Sequence, residues 1–129
     1  MNIYANQLPK NKHDFGSIYK LKELDRIELL PLLPSFMKWI QDMNWPIVEE
    51  VAELLLEFPN EIVPYIKKVL ETADNVWKYW SLEILVKRLP EESRKVFETD
   101  LIRLVEMPTA EEKLEELDEI AMFILQKIK

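Results

Sequence analysis

The sequence has 129 residues, a formal net charge of −7, no cysteine, one histidine and one glycine. Without cysteine there is no disulfide, thiolate metal site, iron–sulfur cluster or cysteine nucleophile. With Gly16 alone, no glycine-rich phosphate loop is possible. The acidic balance is the reverse of what a binder of nucleic-acid backbone carries, and the length suits one domain.

Residues 1–13 show no hydrophobic period and read as an N-terminal arm; residues 14–129 read as a single helical domain. The arm has no apolar stretch of the secretory kind and no run approaches a membrane span, so a cytoplasmic location is expected. Asp14 is placed to cap a helix reaching Leu24. Asp25 with Glu28 has capping-box spacing and opens a second short helix that Pro31 ends. Pro34 starts a helix through Gln41. Asn44 as N-cap and Pro46 in the first turn open a helix whose apolar face is Ile47, Val48, Val51, Ala52, Leu54, Leu55 and Phe58. Pro59 and Asn60 interrupt it, and a helix over 61–72 follows. Asp74 caps a helix over 75–89 that is apolar almost all round, the mark of a buried element. Pro90 opens 91–106. Thr109 with Glu112 is a second capping box and opens the last helix, where Leu114, Leu117, Ala121, Ile124 and Ile128 recur at helical spacing.

No strand alternation of useful length occurs, so the fold expected is all-α with about six or seven helices. Pro34, Pro59 and Pro90 stand 25 and 31 residues apart, and Asn44 and Asp74 stand 30 apart. These marks fit two-helix units repeated about three times, which bury their apolar faces only by stacking: a right-handed stack of antiparallel helix pairs.

Four stretches carry a family resemblance: LPKNKHDF (8–15), LLPSFMKWIQDMNWP (32–46), IVPYIKKVL (62–70) and WKYWSLEIL (77–85). The chain resembles a bacterial family of uncharacterised proteins, domain-of-unknown-function family 5071, over about residues 8–127. The resemblance implies a compact helical domain related to HEAT-like repeats and implies no activity. Its best-matching positions are Asp14, Asp42, Asn44, Trp45, Pro46, Pro64, Trp77, Lys78, Tyr79 and Trp80.

Three groups of residues are candidates for a function. Glu49, Glu53 and Glu57 form a row at i, i+4, i+8 in a stretch without Lys or Arg from Asn44 to Ile66. That row is either a surface for a basic partner or a solvated face relieved by Lys67, Lys68 or other basic residues across the stack. The acidic first half of the last helix suits the helix dipole, and any partner there is cationic. The aromatic residues are dense, and Trp77, Tyr79 and Trp80 cannot all face one way at 100° per residue. An aromatic groove using Asp42, Asn44, Trp45, Trp77, Lys78 and Tyr79 is therefore set against plain core packing. Glu83 and Lys87 at i, i+4 read as a structural ion pair. His13 is the one imidazole, in the arm, so a nucleophilic relay with Ser17, Ser35, Ser81 or Ser93 has no built partner.

The expected function is thus a non-enzymatic protein-interaction domain. Its acidic helical surface would meet a protein partner, a basic one by charge, one form being a cytosolic immunity or regulatory protein. The alternative is a small-ligand-binding regulatory domain with an aromatic groove near Trp45 and Trp77. No cofactor, metal, nucleic acid or membrane is expected, and the state expected is a monomer.

Overall fold

A computed structural model describes Leu8, Pro9, Asn11, residues 14–41 and residues 47–128. Among these residues there is no strand, and the fold is all-α. Helix α1 (Phe15–Leu21) is capped by Asp14, whose carboxylate accepts from the Ser17 amide at 3.2 Å and the Ser17 hydroxyl at 2.7 Å. Helix α2 (Arg26–Leu29) carries the Asp25–Glu28 capping box, then runs through a 3₁₀ turn, Leu30–Leu32, that holds Pro31. Helix α3 (Leu33–Trp39) has Pro34 in its first turn, where the missing N–H is no loss. The cap expected at Asn44 and the Pro46 start lie outside the described residues; helix α4 is Val48–Leu56. Helix α5 (Val63–Leu70) follows.

Helix α6 (Asn75–Trp80) begins as expected: the Asp74 carboxylate accepts from the Trp77 amide at 3.0 Å. Its continuation differs from the single helix expected to residue 89. A π-helical turn, Ser81–Leu85, and a 3₁₀ turn, Val86–Arg88, complete the segment. Ser81, Leu82, Ile84, Leu85 and Val86 are all buried, more than one face of a regular helix holds, and the hydrogen-bond register changes where they enter the core. The helix expected over 91–106 is likewise two, α7 (Glu91–Lys95) and α8 (Glu98–Glu106), with buried Phe97 at the joint. The last helix is split into α9 (Ala110–Leu114) and α10 (Leu117–Ile128) by Glu116, whose φ of 61° is left-handed. The helices are therefore shorter and more numerous than six or seven.

One contiguous cluster of buried residues runs from Ile18 to Ile128, with Phe36, Phe58 and Phe97 among its largest side chains. Leu8, within the expected arm, packs against it. Each large apolar side chain so buried contributes roughly 1.5–3 kcal/mol. Helix α3 packs on α4 and α5, α5 on α6, and α8 lies along α10; α10 also meets α6 and α7. No helix among the described residues is long and apolar enough to cross a membrane.

Candidate functional site

The acidic row is largely consumed by pairing within the fold. The Arg88 guanidinium donates to Glu49 at 2.8 Å, and Lys22 pairs with Glu50 and, at 3.5 Å, with Glu53. The Glu57 backbone carbonyl accepts from Arg26, which also pairs with Glu61. The relief expected for this row thus comes from Lys22 and Arg88. Lys67 instead reaches Asp100 at 2.5 Å, and Lys68 has no carboxylate partner among the described residues.

Asp42, Asn44 and Trp45 lie outside the described residues. The rest of the aromatic candidates divide around α6. The Trp77 ring turns toward α3, where its Nε1–H donates to the Met37 carbonyl at 2.9 Å. Tyr79 and Trp80 lie on another side, edge to face with centroids 4.9 Å apart. Burial, with the nearby Glu83 and Glu116 carboxylates, holds the Tyr79 hydroxyl above the usual phenol range.

Lys78, between them in sequence, points into the protein. It is 6% exposed and donates to Glu112, 2% exposed, at 3.1 Å. The Arg103 fork adds donors to the same carboxylate at 3.2 and 2.8 Å, and the Thr109 amide adds one at 2.8 Å. Burial pushes the Glu112 carboxyl up, but the donors from Arg103, Thr109 and Lys78 outweigh it and bring it down to about 2. The capping-box residue is therefore also the acceptor of a buried ion-pair network joining α6, α8 and α9. Its spacing signals the cap; nothing in the sequence signals the two cations. Glu83 and Lys87 form the expected i, i+4 pair at 3.0 Å.

Three depressions stand out among the described residues. The first, about 250 Å³, has apolar walls of Pro34, Met37, Tyr65, Val69 and Trp77, with Lys38 and Lys68 exposed at its edge. Of the residues anticipated for an aromatic groove, it holds Trp77. Met37 and Tyr65 complete it because α3 and α5 pack side by side, a tertiary fact with no local signal. The second, about 270 Å³, lies between Val76, Tyr79 and Trp80 of α6 and Leu114, Glu115 and Glu116.

The third is a groove along α8 and α10. Two hollows, about 260 and 410 Å³, share Val105 and Met122. Ile102 and Leu125 extend the apolar floor, with Ile102 38% and Met122 44% exposed. Glu106, Asp118 and Glu119 edge the groove, and none has an ion-pair partner among the described residues. The free acidic charge of this region thus adjoins exposed apolar surface.

The family described as Domain of unknown function (DUF5071) matches residues 7–125. The chain belongs to this family. No curated protein matches it. Membership in DUF5071 covers the whole buried cluster up to Ile124, so α1 through most of α10 form the family's domain.

Proposed function

We propose that this DUF5071 domain is a non-enzymatic, cytoplasmic protein-interaction domain whose docking surface is the α8–α10 groove. The partner is a protein that presents a basic amphipathic segment. The observation that carries this reading is the coincidence of exposed Ile102 and Met122 with the unpaired carboxylates of Glu106, Asp118 and Glu119. An apolar trough between two helices is suited to anchors at helical spacing, and an acidic edge suits lysines and arginines beside those anchors. The Glu49–Glu53 face is less suited, since Lys22 and Arg88 already neutralise it. Sequential packing of α3 with α4 and α5, then α5 with α6, supports reading the scaffold as a HEAT-like stack of helix pairs. Neutralising a basic effector is one role such a surface can fill.

The test is a paired capture. Wild type and a Met122→Asp, Val105→Asp variant are used as baits at low and high salt, with the contact mapped by cross-linking. The reading expects a basic protein held by wild type, cross-linked at α8 or α10, weakened by salt and lost from the variant. Circular dichroism checks that the variant is folded. Retention of the same proteins by both baits, or cross-links centred on another face, refutes it.

A further inference from the structure

The cleft between α3, α5 and α6 stands apart from the α8–α10 groove, and its chemistry is of the opposite sign. Its walls are apolar: Pro34 and Met37 from α3, Tyr65 and Val69 from α5, and Trp77 from α6. The Trp77 ring is fixed in place by the bond from its Nε1–H to the Met37 carbonyl, so the wall exists before any ligand arrives. The polar group of Thr72 is also committed, its hydroxyl donating to the Val69 carbonyl at 2.7 Å. Three donors at the cleft are not committed. Lys38 and Lys68 are exposed and have no carboxylate partner among the described residues, and the Tyr65 hydroxyl has no hydrogen bond there.

Acids outnumber bases in this chain, 24 to 17, and the two lysines are informative because they meet at one apolar cleft. Lys22, Arg26, Lys67, Lys78, Lys87, Arg88, Lys95 and Arg103 all have carboxylates within ion-pair distance. Six described cations have no carboxylate at that distance among the described residues (Lys20, Lys38, Lys68, Arg94, Lys113 and Lys127), and Lys38 and Lys68 are the two of them that line one of these depressions, where they leave an apolar cleft with an edge open to an anion. From this charge complementarity we infer that the cleft is a binding site for a small organic anion: an apolar, ring-sized body lying on Trp77, with one carboxylate reaching Lys38 and Lys68. Size limits the occupant. A cavity of roughly 150 Å³ holds a benzene ring, so about 250 Å³ admits a ring with a short arm. It falls below the roughly 300–1,000 Å³ of sites for larger ligands.

Three probes with one body and different heads test this: 4-phenylbutyrate, 4-phenylbutanol and 4-phenylbutylamine. Binding is followed by amide and indole N–H chemical shifts of the full chain. The expected order is carboxylate, alcohol, amine, with the carboxylate about tenfold tighter than the amine, as two partly exposed ion pairs allow. Shifts centre on the Trp77 indole N–H and the amides of residues 65–72. The double variant Lys38→Gln, Lys68→Gln brings the carboxylate to the alcohol's affinity and leaves the alcohol unchanged, which also shows that the variant is folded. Substitutions in the α8–α10 groove have no effect on any of the three. The inference is overturned if the amine binds as well as the carboxylate, if the double variant does not change the order, if the shifts centre elsewhere, or if none of the probes shifts a resonance at about 10 mM, a range that even weak ligands of this size reach.

Discussion

At the scale of single residues, Glu112 is the most consequential side chain outside the apolar core. It closes the α9 cap and receives Lys78 and Arg103 in a buried position. Removing one member of a buried pair costs about 3–5 kcal/mol, because the partner's charge stays behind without compensation. Glu112→Gln should therefore cost about 3 kcal/mol at pH 7, since it strands the Lys78 ammonium. Lys78→Met should cost about 1 kcal/mol, since Glu112 keeps Arg103 and the Thr109 amide. The acid dependence follows from the carboxyl's fall from an ordinary 4.5 to about 2. A lowered folded-state pKa gives stability that is fully present above about pH 4.5 and lost as the pH falls toward 2. The integral is about 3 kcal/mol. Urea midpoints at pH 7 and near pH 2 measure it: wild type loses this increment, Glu112→Gln does not, and the two converge in acid. A gap that persists unchanged to pH 2 contradicts the assignment.

At the scale of elements, helix starts were legible and helix continuity was not. Asp14, Asp25, Asp74 and Thr109 cap where their spacing placed them, because a cap is a bond between residues three apart. The breaks at Ser81, Phe97 and Glu116 have no such local mark. At Ser81 the core takes more side chains than one helical face offers; across Phe97 the buried Ser93, Phe97, Leu101 and Leu104 keep helical spacing, and at Glu116 the change is one left-handed residue, so periodicity reports none of the three. The candidate site shows the same limit. Trp77 stands out in sequence, whereas Met37, Tyr65, Lys38 and Lys68 join it only through packing of α3 on α5. Its neighbours in sequence mark Lys78 as a groove residue, whereas the fold makes it part of the buried network.

The break at Glu116 can be tested directly. A non-glycine residue in the left-handed region carries a steric cost of about 1–2 kcal/mol, offset in part by glycine's freer unfolded chain. Glu116 is exposed, so nothing packed is lost on replacement. Glu116→Gly should raise stability by about 0.5–1 kcal/mol, seen as a higher Tm, whereas Glu115→Gly, next to it with φ −91°, should lower it. Equal effects at both positions speak against a left-handed joint between α9 and α10.

At the scale of the whole molecule, the question is whether the chain unfolds as one body or as separable units. A stack of repeats has nearest-neighbour interfaces, and long arrays lose cooperativity between distant units. This chain is short, and its C-terminal helix is tied to the middle: α10 packs on α8, α7 and α6, and α6 in turn packs on α5. The buried cluster is continuous from Ile18 to Ile128. Phe36 in α3 and Phe97 before α8 sit in opposite halves of that cluster, both fully buried. Each Phe→Ala change should cost about 3–5 kcal/mol. With a single cooperative unit, both variants keep one transition in which tryptophan fluorescence and far-ultraviolet circular dichroism coincide, and only its midpoint falls. With separable halves, Phe97→Ala melts the helical signal of the C-terminal elements first. Trp77 contributes to the tryptophan signal from the N-terminal side, because its ring is anchored to Met37, and with Trp39→Phe, Trp45→Phe and Trp80→Phe in the background it is the reporter. Coincident curves for both variants establish that the α8–α10 groove and the Trp77 cleft belong to one folding unit. A premature helical loss in Phe97→Ala alone would place them in two.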